Sequence, residues 1–328
     1  MTRTQDDEQR FTALVERHRR ELQVHCYRML GSFDESQDAV QDTFLRAWRA
    51  RATARGEFRA WLYKIATNTC LDMIGRRSRS PGTAGGAGGT SEVAWLQPYP
   101  DALLDVPDGE DGPDAVVVAR ETIELAFLAA VQHLPPRQRA VLLLRDVLGW
   151  RAAATADLLD VSVAAANSAL QRARATLRTH LPERRSEWSA PTDDERALLK
   201  RYLARSEDND IDGLVALLAE HARHTMPPQP DVSEGRAAIR AAWTPVLVGP
   251  EAWGEWRCLP VEVNRQVAMA AYLRPARELV LPDGLRAGPG RHFEPCTLDV
   301  LRIDDGLITE VTTFGPEVFG PLGLPERL

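Results

Sequence analysis

The chain has 328 residues, 44% of them hydrophobic and 27% charged, which suits two or three globular domains with sizeable cores. Its formal net charge of −7 argues against a protein that coats nucleic acid over its whole surface. No apolar run is long enough to span a bilayer and the opening MTRTQDDEQR is polar throughout, so a cytoplasmic protein is expected.

The first block, residues 8–79, reads as helical. Phe11, Leu14, Val15, His18, Leu22, Cys26 and Met29 recur at three- and four-residue steps, and Gly31 follows as a stop. Asp34 or Ser36 is expected to cap a second helix over 36–50, with Val40, Phe44 and Trp48 as its apolar stripe. Its other face carries Asp38, Gln41, Asp42 and Arg46, which by pattern alone is a solvated face. A third helix carries Phe58, Trp61, Leu62, Ile65 and Ala66 and ends in Arg76, Arg77 and Arg79. Along it Trp61, Tyr63, Lys64, Asn68, Asp72, Arg76 and Arg77 mix aromatic, amide and basic groups. Such a mix suits an unstacked base and the phosphates of a single strand, although Trp61 reads equally well as core.

Residues 80–114 read as a flexible, acidic linker. SPGTAGGAGGTS (80–91) holds neither helix nor strand, with the weakest order expected over Gly82–Gly89, and DVPDGEDGPD (105–114) is again loop. Between them Trp95, Leu96 and Tyr99 form an apolar island, read as packing on a neighbouring domain in preference to a dedicated contact with a partner. From 92 to 124 only Arg120 opposes nine acids, whereas from 151 to 185 six arginines face three acids.

Helices resume over 115–183. Pro135 and Pro136 open one helix that Gly149 closes, Ala152–Leu159 is a short helix, and Asp160-Val161 is a tight turn. Ser162 caps the next helix, with Val163, Ala166 and Leu170 facing inward. This order is a helix-turn-helix built to place its second helix in the major groove. Asn167, Ser168, Gln171 and Arg172 lie on that helix's outer face, with Arg174 and Arg178 beyond. Asn and Gln pair bidentately with adenine and Arg with guanine, while further arginines suit phosphates.

The last block, 192–328, begins with helical spacing through Leu198, Leu199, Tyr202 and Leu203, then Leu214, Leu217 and Leu218. From His221 strands dominate: 222–226, 256–263, 267–273, 296–303 and 307–314, with Asp304-Asp305-Gly306 as a hairpin turn. Helices followed by an antiparallel sheet make an α+β domain. Glu262, Glu294, Asp299 and Glu310 lie on strands, but alternation does not say which point inward, and no catalytic residue is assigned. His221 and His224 are three apart without a third ligand, and Cys26, Cys70, Cys258 and Cys296 are scattered. Neither a metal, a cofactor nor a disulfide framework is expected.

DAVQDTFLRAW (38–48), followed by FRAWLYKIATNTCLDMIGRRSR, resembles region 2 of the sigma-70 family in its extracytoplasmic-function (ECF) branch. LPPRQRAVLLLRDVLGWRAAATADLLDVSVAAANSALQRARATLR resembles region 4 of the same branch. LLKRYLARSEDNDIDGLVALLAEHARHTMPP and GRAAIRAAW resemble the SnoaL-like branch of the nuclear transport factor 2 superfamily, whose curved sheet and helices enclose a cone-shaped pocket. The resemblance implies two all-α domains plus an α+β cone, and a sigma factor that directs core RNA polymerase to −10/−35 promoters. It implies that Asp38, Gln41, Asp42, Arg46 and Trp48 meet the β′ coiled coil of the polymerase. It places the aromatic and basic group from Trp61 to Arg77 at the −10 element, and Ser162, Asn167, Ser168, Gln171, Arg172 and Arg174 at the −35 element, with region 4 near the β flap. The linker would thread toward the active centre and RNA exit channel, and the tail would stand in for a separate anti-sigma protein, with room for a small ligand in its cone. One departure is AAATADLL (152–159), where members commonly carry a glutamate. Two other readings compete: a ligand-sensing helix-turn-helix regulator that is not a polymerase subunit, which leaves 38–77 unexplained, and an enzyme with a fused DNA-binding part.

Overall fold

The computed structural model describes residues 2–54, 56–77, 96–103, 125–180, 191–227, 229, 232–280 and 286–328. The expected glycine-rich stretch, Trp95, Arg79, the acidic loop 105–114 and the helix start near 115 lie outside the described residues. Contacts divide the chain into two compact units, one formed by the two helical segments and one by the C-terminal domain together with the linker piece up to Ala102.

In the helical unit, α1 (Thr2–Arg17) and α2 (Arg19–Leu30) are separate helices, where the spacing predicts one. The break falls at His18, whose side chain bonds Glu21 at 2.5 Å, and Leu14 is 41% exposed where the stripe predicts burial. Helix α2 is buried on nearly every side, because α3 (Phe33–Ala50), α4 (Phe58–Arg77) and the first two helices after the linker all pack on it. Gly31 ends α2 in the left-handed region (φ 75°), and a Cβ there would crowd the Gln132 side chain at 3.1 Å. The cap of α3 is Ser32, which accepts from the Glu35 N–H at 3.2 Å, rather than Asp34 or Ser36. Ser36 is buried in the first turn, donating to the Phe33 carbonyl at 2.6 Å. The buried stripe of α3 is therefore Ser36, Val40, Thr43 and Ala47. Phe44 and Trp48 sit at its edge, Phe44 under Arg19 and Trp48 edge-on to Phe11 at 5.6 Å.

After the linker come α5 (Leu125–Gln132), α6 (Pro136–Leu142), a π turn (Leu143–Val147), α7 (Ala152–Leu159) and α8 (Val163–His180). Pro136 occupies the first turn of α6, where its missing N–H costs nothing. Arg139 fastens this segment to the end of α2. Its buried guanidinium donates to the carbonyls of Met29, Gln132 and Leu134 and to Gln132 Oε1, while Gln132 Nε2 donates to the Arg28 carbonyl at 3.2 Å. The last carbonyls of a helix have no partner of their own, and here a buried cation supplies one. Burial lowers the Arg139 pKa to about 10.

The C-terminal unit opens with α9 (Asp193–Glu207), started by a full capping box between Thr192 and Glu195, and α10 (Ile211–Ala216), capped by Asp210. A six-stranded sheet follows in the order β2-β1-β8-β7-β4-β3. Its strands are β1 (Leu218–Thr225), β2 (Val232–Glu234), β3 (Gly254–Val263), β4 (Gln266–Pro275), β7 (Glu294–Asp304) and β8 (Leu307–Phe314); β5 (Leu279–Val280) and β6 (Arg286–Ala287) form a separate ribbon. Leu218, expected in a helix, is already strand. The sheet is mixed, because β1 runs parallel to β8 while the other neighbours are antiparallel. The connection from β1 back to β8 passes through β2, the helix α11 (Arg236–Leu247) and the two hairpins, long enough to permit a parallel pair. Asn264-Arg265 and Asp305-Gly306 turn their hairpins with positive φ at both positions, the backbone that matches strand twist. Strand β4 is apolar on both faces: Met269, Ala271 and Leu273 face the helices, and Tyr272 packs on Phe319 at 5.2 Å.

Candidate nucleic-acid interface

Helix periodicity sorts the candidates on α4. Trp61, Lys64, Asn68, Asp72 and Arg76 lie along one face and keep part or all of their surface exposed. Tyr63 and Arg77 fall on the opposite face with Ala66 and Cys70, and this corrects the expectation that they face DNA. Tyr63 is buried, its ring 5.0 Å from His25 and 5.3 Å from Trp150, with its O–H donating to Glu21 at 3.2 Å. Arg77 is half-buried and ion-paired with Glu35 of α3. On the open face, Trp61 leans on Phe58 at 5.5 Å, and Lys64 donates to Asp160 Oδ1 at 2.7 Å and to the Asp157 carbonyl at 3.1 Å. Asp72 pairs with Arg46 at 2.8 Å.

On α3, Asp38 and Gln41 are exposed, while Asp42, Arg46 and Trp48 are partly covered. Leu45, which pattern reading passed over, is 55% exposed on the same face as Asp38 and Gln41. A single exposed leucine is ordinary on a protein surface. Its signal in the sequence was its offset from the buried 36-40-43-47 stripe.

The helix-turn-helix forms as its local chemistry dictates. Asp160 adopts the left-handed conformation (φ 53°) that ends α7, and Ser162 accepts from the Ala165 N–H at 3.1 Å to start α8. Ala166, Leu170, Ala173 and Leu177 are the buried seam of α8, and Val163, expected inside, is 44% exposed in the first turn. Ser162, Asn167, Ser168, Gln171, Arg172, Arg174 and Arg178 are all exposed. Arg174 grips Asp146 with two bonds of 2.8 and 2.7 Å, which raises its pKa, so its charge is partly spent within the protein.

The linker piece Leu96–Asp101 docks on the β3–β4 hairpin within the C-terminal unit. The Tyr99 N–H donates to Asn264 Oδ1 at 2.7 Å, the Asn264 N–H returns a bond to the Tyr99 carbonyl at 3.1 Å, and Pro100 bridges to Val263. Asp101 accepts from the Arg265 N–H at 3.0 Å. Leu96 and Tyr99 are buried. This part of the linker is a clamp and not a free tether.

Of the four strand carboxylates, only Asp299 lines the cone. Glu262 and Glu294 are exposed, Glu262 pairing with Arg196 at 2.8 Å, and Glu310 lies near Arg223. His221 is exposed and His224 buried, since three steps along a strand reverse the face, so the two do not share a ligand. No cluster of metal-binding side chains occurs among the described residues, and none of their helices is long and apolar enough to cross a membrane.

Three family models match the chain: "Sigma-70 region 2" over residues 14–80, "Sigma-70, region 4" over 124–177, and "SnoaL-like domain" over 199–311. The chain is 40% identical to the ECF RNA polymerase sigma factor SigG of Mycobacterium tuberculosis, over 98% of this chain and 86% of that protein. It is 24% identical to the probable ECF RNA polymerase sigma factor SigI of the same organism, over 88% and 95%. The crystal structure of the M. tuberculosis extracytoplasmic-function sigma factor SigJ shares the fold, with a TM-score of 0.60 and 21% identity over 96% of this chain and 99% of that one. These likenesses favour the sigma factor reading over a free-standing helix-turn-helix regulator. With region 2 and region 4 in order, a SnoaL-like tail behind them and a 40% identical relative matched over 98% of this chain, the chain belongs to the ECF sigma factors of RNA polymerase.

Proposed function

We propose that the chain divides promoter recognition between three helix faces. The α3 face of Asp38, Gln41, Asp42, Arg46 and Leu45, with Trp48 at its edge, receives the β′ coiled coil of core polymerase. The open face of α4, with Trp61, Lys64, Asn68, Asp72 and Arg76, traps an unstacked base of the −10 element and its neighbouring phosphates. The outer face of α8 reads the −35 element, with region 4 carried by the β flap. The observation that carries this reading is α8 itself, a serine-capped helix behind a left-handed turn with every polar candidate on its outer surface.

The tail, in this proposal, controls the factor through the linker. Region 2 and region 4 are joined by a chain that the C-terminal unit grips at Leu96–Asp101, so the state of that unit decides how freely the linker moves. A small ligand in the cone would supply the input.

Reconstitution with core polymerase on a promoter library tests both parts. Promoter-specific transcripts from the full chain, altered by removing 192–328, are the expected outcome. Binding to duplex operators with no association to core polymerase would overturn the first part, and identical transcription with and without the tail would overturn the second.

A further inference from the structure

The C-terminal unit holds a cavity of about 290 Å³, partly open to solvent, between α9, α11 and the inner face of the sheet. A cavity of about 150 Å³ accommodates one benzene ring, so this one has room for roughly two fused rings. Its walls are aromatic and apolar, with Trp243, Trp253 and Trp256 beside Met226 and Met269. Trp253 and Trp256 stack at 6.3 Å with their planes 25° apart. Flat wall residues of this kind select flat ligands.

Its floor is a connected polar chain. Tyr202 donates its O–H to Asp299 Oδ2 at 3.0 Å, Thr313 donates to Asp299 Oδ1 at 2.7 Å, and His224 Nε2 meets Thr313 Oγ1 at 3.1 Å. Because the Thr313 hydroxyl gives its proton to Asp299, His224 must supply an Nε2–H, which leaves its Nδ1 as an acceptor. Burial lowers the His224 pKa to about 4, so the ring is neutral near pH 7, and it raises that of Asp299. No lysine or arginine lines the cavity among the described residues. A buried carboxylate without a cation is costly, and two hydroxyl donors compensate it only in part. Trp256, 6% exposed, lines the same space, and its indole N–H has no acceptor among the described residues. A hydrophobic core has no use for either feature. A site awaiting a partner has use for both.

We propose that this cavity binds a small aromatic molecule of about two fused rings that presents a protonated amine or a hydroxyl to Asp299 and bears no negative charge. The rings lie against the tryptophans, where an ammonium also gains attraction from their π-faces. The amine or hydroxyl donates to Asp299 or to His224 Nδ1, and an oxygen or ring-nitrogen acceptor on the ligand satisfies Trp256. An anion meets the carboxylate with no cation to offset it and is rejected. This inference rests on the reading that the cone receives a ligand, and it names the chemistry of that ligand.

Calorimetric titration of the full-length protein with tryptamine, 2-naphthol and indole-3-propionate tests it. Tryptamine, 2-naphthol or both should bind, telling ammonium from hydroxyl recognition, and indole-3-propionate should bind at least about tenfold more weakly than tryptamine. Asp299→Asn should bring tryptamine and indole-3-propionate to within about threefold of each other, since the amide keeps the shape and loses the charge. Ala242→Trp, at an exposed lining position of α11, should abolish binding without disturbing the core, and keeps the test valid if the Asp299 variant fails to fold. Failure of both donor probes to bind, or binding unchanged by Ala242→Trp, would overturn the site. Indole-3-propionate binding as tightly as tryptamine, yet blocked by Ala242→Trp, would overturn the assigned chemistry and leave a ligand-binding cone. The sigma factor reading stands or falls separately, on transcription.

Discussion

His25 lies at the centre of the helical unit, bonded to Thr67 at 2.9 Å and packed on Tyr63, and burial lowers its pKa to about 3. An unfolded histidine titrates near 6.5, so as pH falls below that value the unfolded chain takes up a proton that folded His25 refuses. The depressed pKa therefore costs nothing above about pH 6.5, and stability is lost progressively as pH falls from there toward 3. His224 imposes the same slope on the C-terminal unit down to about pH 4. Each contributes up to about 1.4 kcal/mol per pH unit in this window. Scanning calorimetry at pH 7, 6, 5 and 4.5 should show the loss, and His25→Gln should flatten it in the helical unit; an unchanged slope would show that His25 is not its source. Arg139 works by a different principle, because it satisfies backbone carbonyls rather than an acid. Arg139→Met should destabilise the helical unit by about 3 kcal/mol, measured by urea unfolding, since it leaves buried acceptors unpaired.

At the scale of elements, α8 and the β3–β4 hairpin carry the clearest expectations. If α8 reads bases, Gln171→Ala should cost about 1–3 kcal/mol at one base pair and relax selectivity there, whereas Arg178→Ala should weaken all promoters alike and flatten the salt dependence. Binding assays of the polymerase-bound factor against single-base promoter variants separate the two outcomes. In the hairpin, Asn264 performs two tasks: its side chain holds Tyr99, and its backbone adopts φ 53°. Asn264→Ala loses the bond and strains the turn, so the segment Leu96–Asp101 should become accessible to limited proteolysis at concentrations that spare the native protein. Asn264→Gly, which relieves the strain but not the lost bond, should show the same exposure if the bond is what matters.

At the scale of the whole molecule, the helical unit is closed. Lys64 on the proposed −10 face is engaged by Asp157 and Asp160 beside the recognition helix, and Tyr63 packs on Trp150 just before α7. Two promoter elements about 25 base pairs apart at about 3.4 Å each lie roughly 85 Å from one another. A compact unit of about 170 residues has a radius of gyration of about 15–16 Å and cannot reach both. Engagement of both elements thus requires regions 2 and 4 to separate, which gives up the exposed Lys64–Asp160 pair, worth about 0–1 kcal/mol, and also the buried bonds that tie Arg139 and Gln132 to the end of α2. Fluorescent labels at positions 10 and 179, both exposed and outside the proposed contact faces, should move apart by several tens of ångströms when the factor binds core polymerase and promoter; an unchanged transfer efficiency would mean that the closed unit is the bound form.

Much of this was legible in one dimension because it is local chemistry. The serine cap and left-handed Asp160 of the helix-turn-helix, the prolines that open α6 and the Asp305-Gly306 hairpin follow from propensities of a few neighbouring residues. The face of a helix is also written in its sequence, but only once its buried seam is known. On α4 the apolar spacing was compatible with more than one seam, and packing on α2 chose the one that buries Tyr63 and Arg77 and leaves Trp61, Lys64 and Asn68 at the surface. The parallel pairing of β1 with β8, the joining of Arg139 to the end of α2, and the grip of Asn264 on Tyr99 link residues dozens to more than a hundred positions apart. So does the convergence of Tyr202, His224, Asp299 and Thr313 beneath three tryptophans. Periodicity carries no information about such contacts. They depend on which surfaces remain to be covered once the local elements exist, and burial in three dimensions settles that.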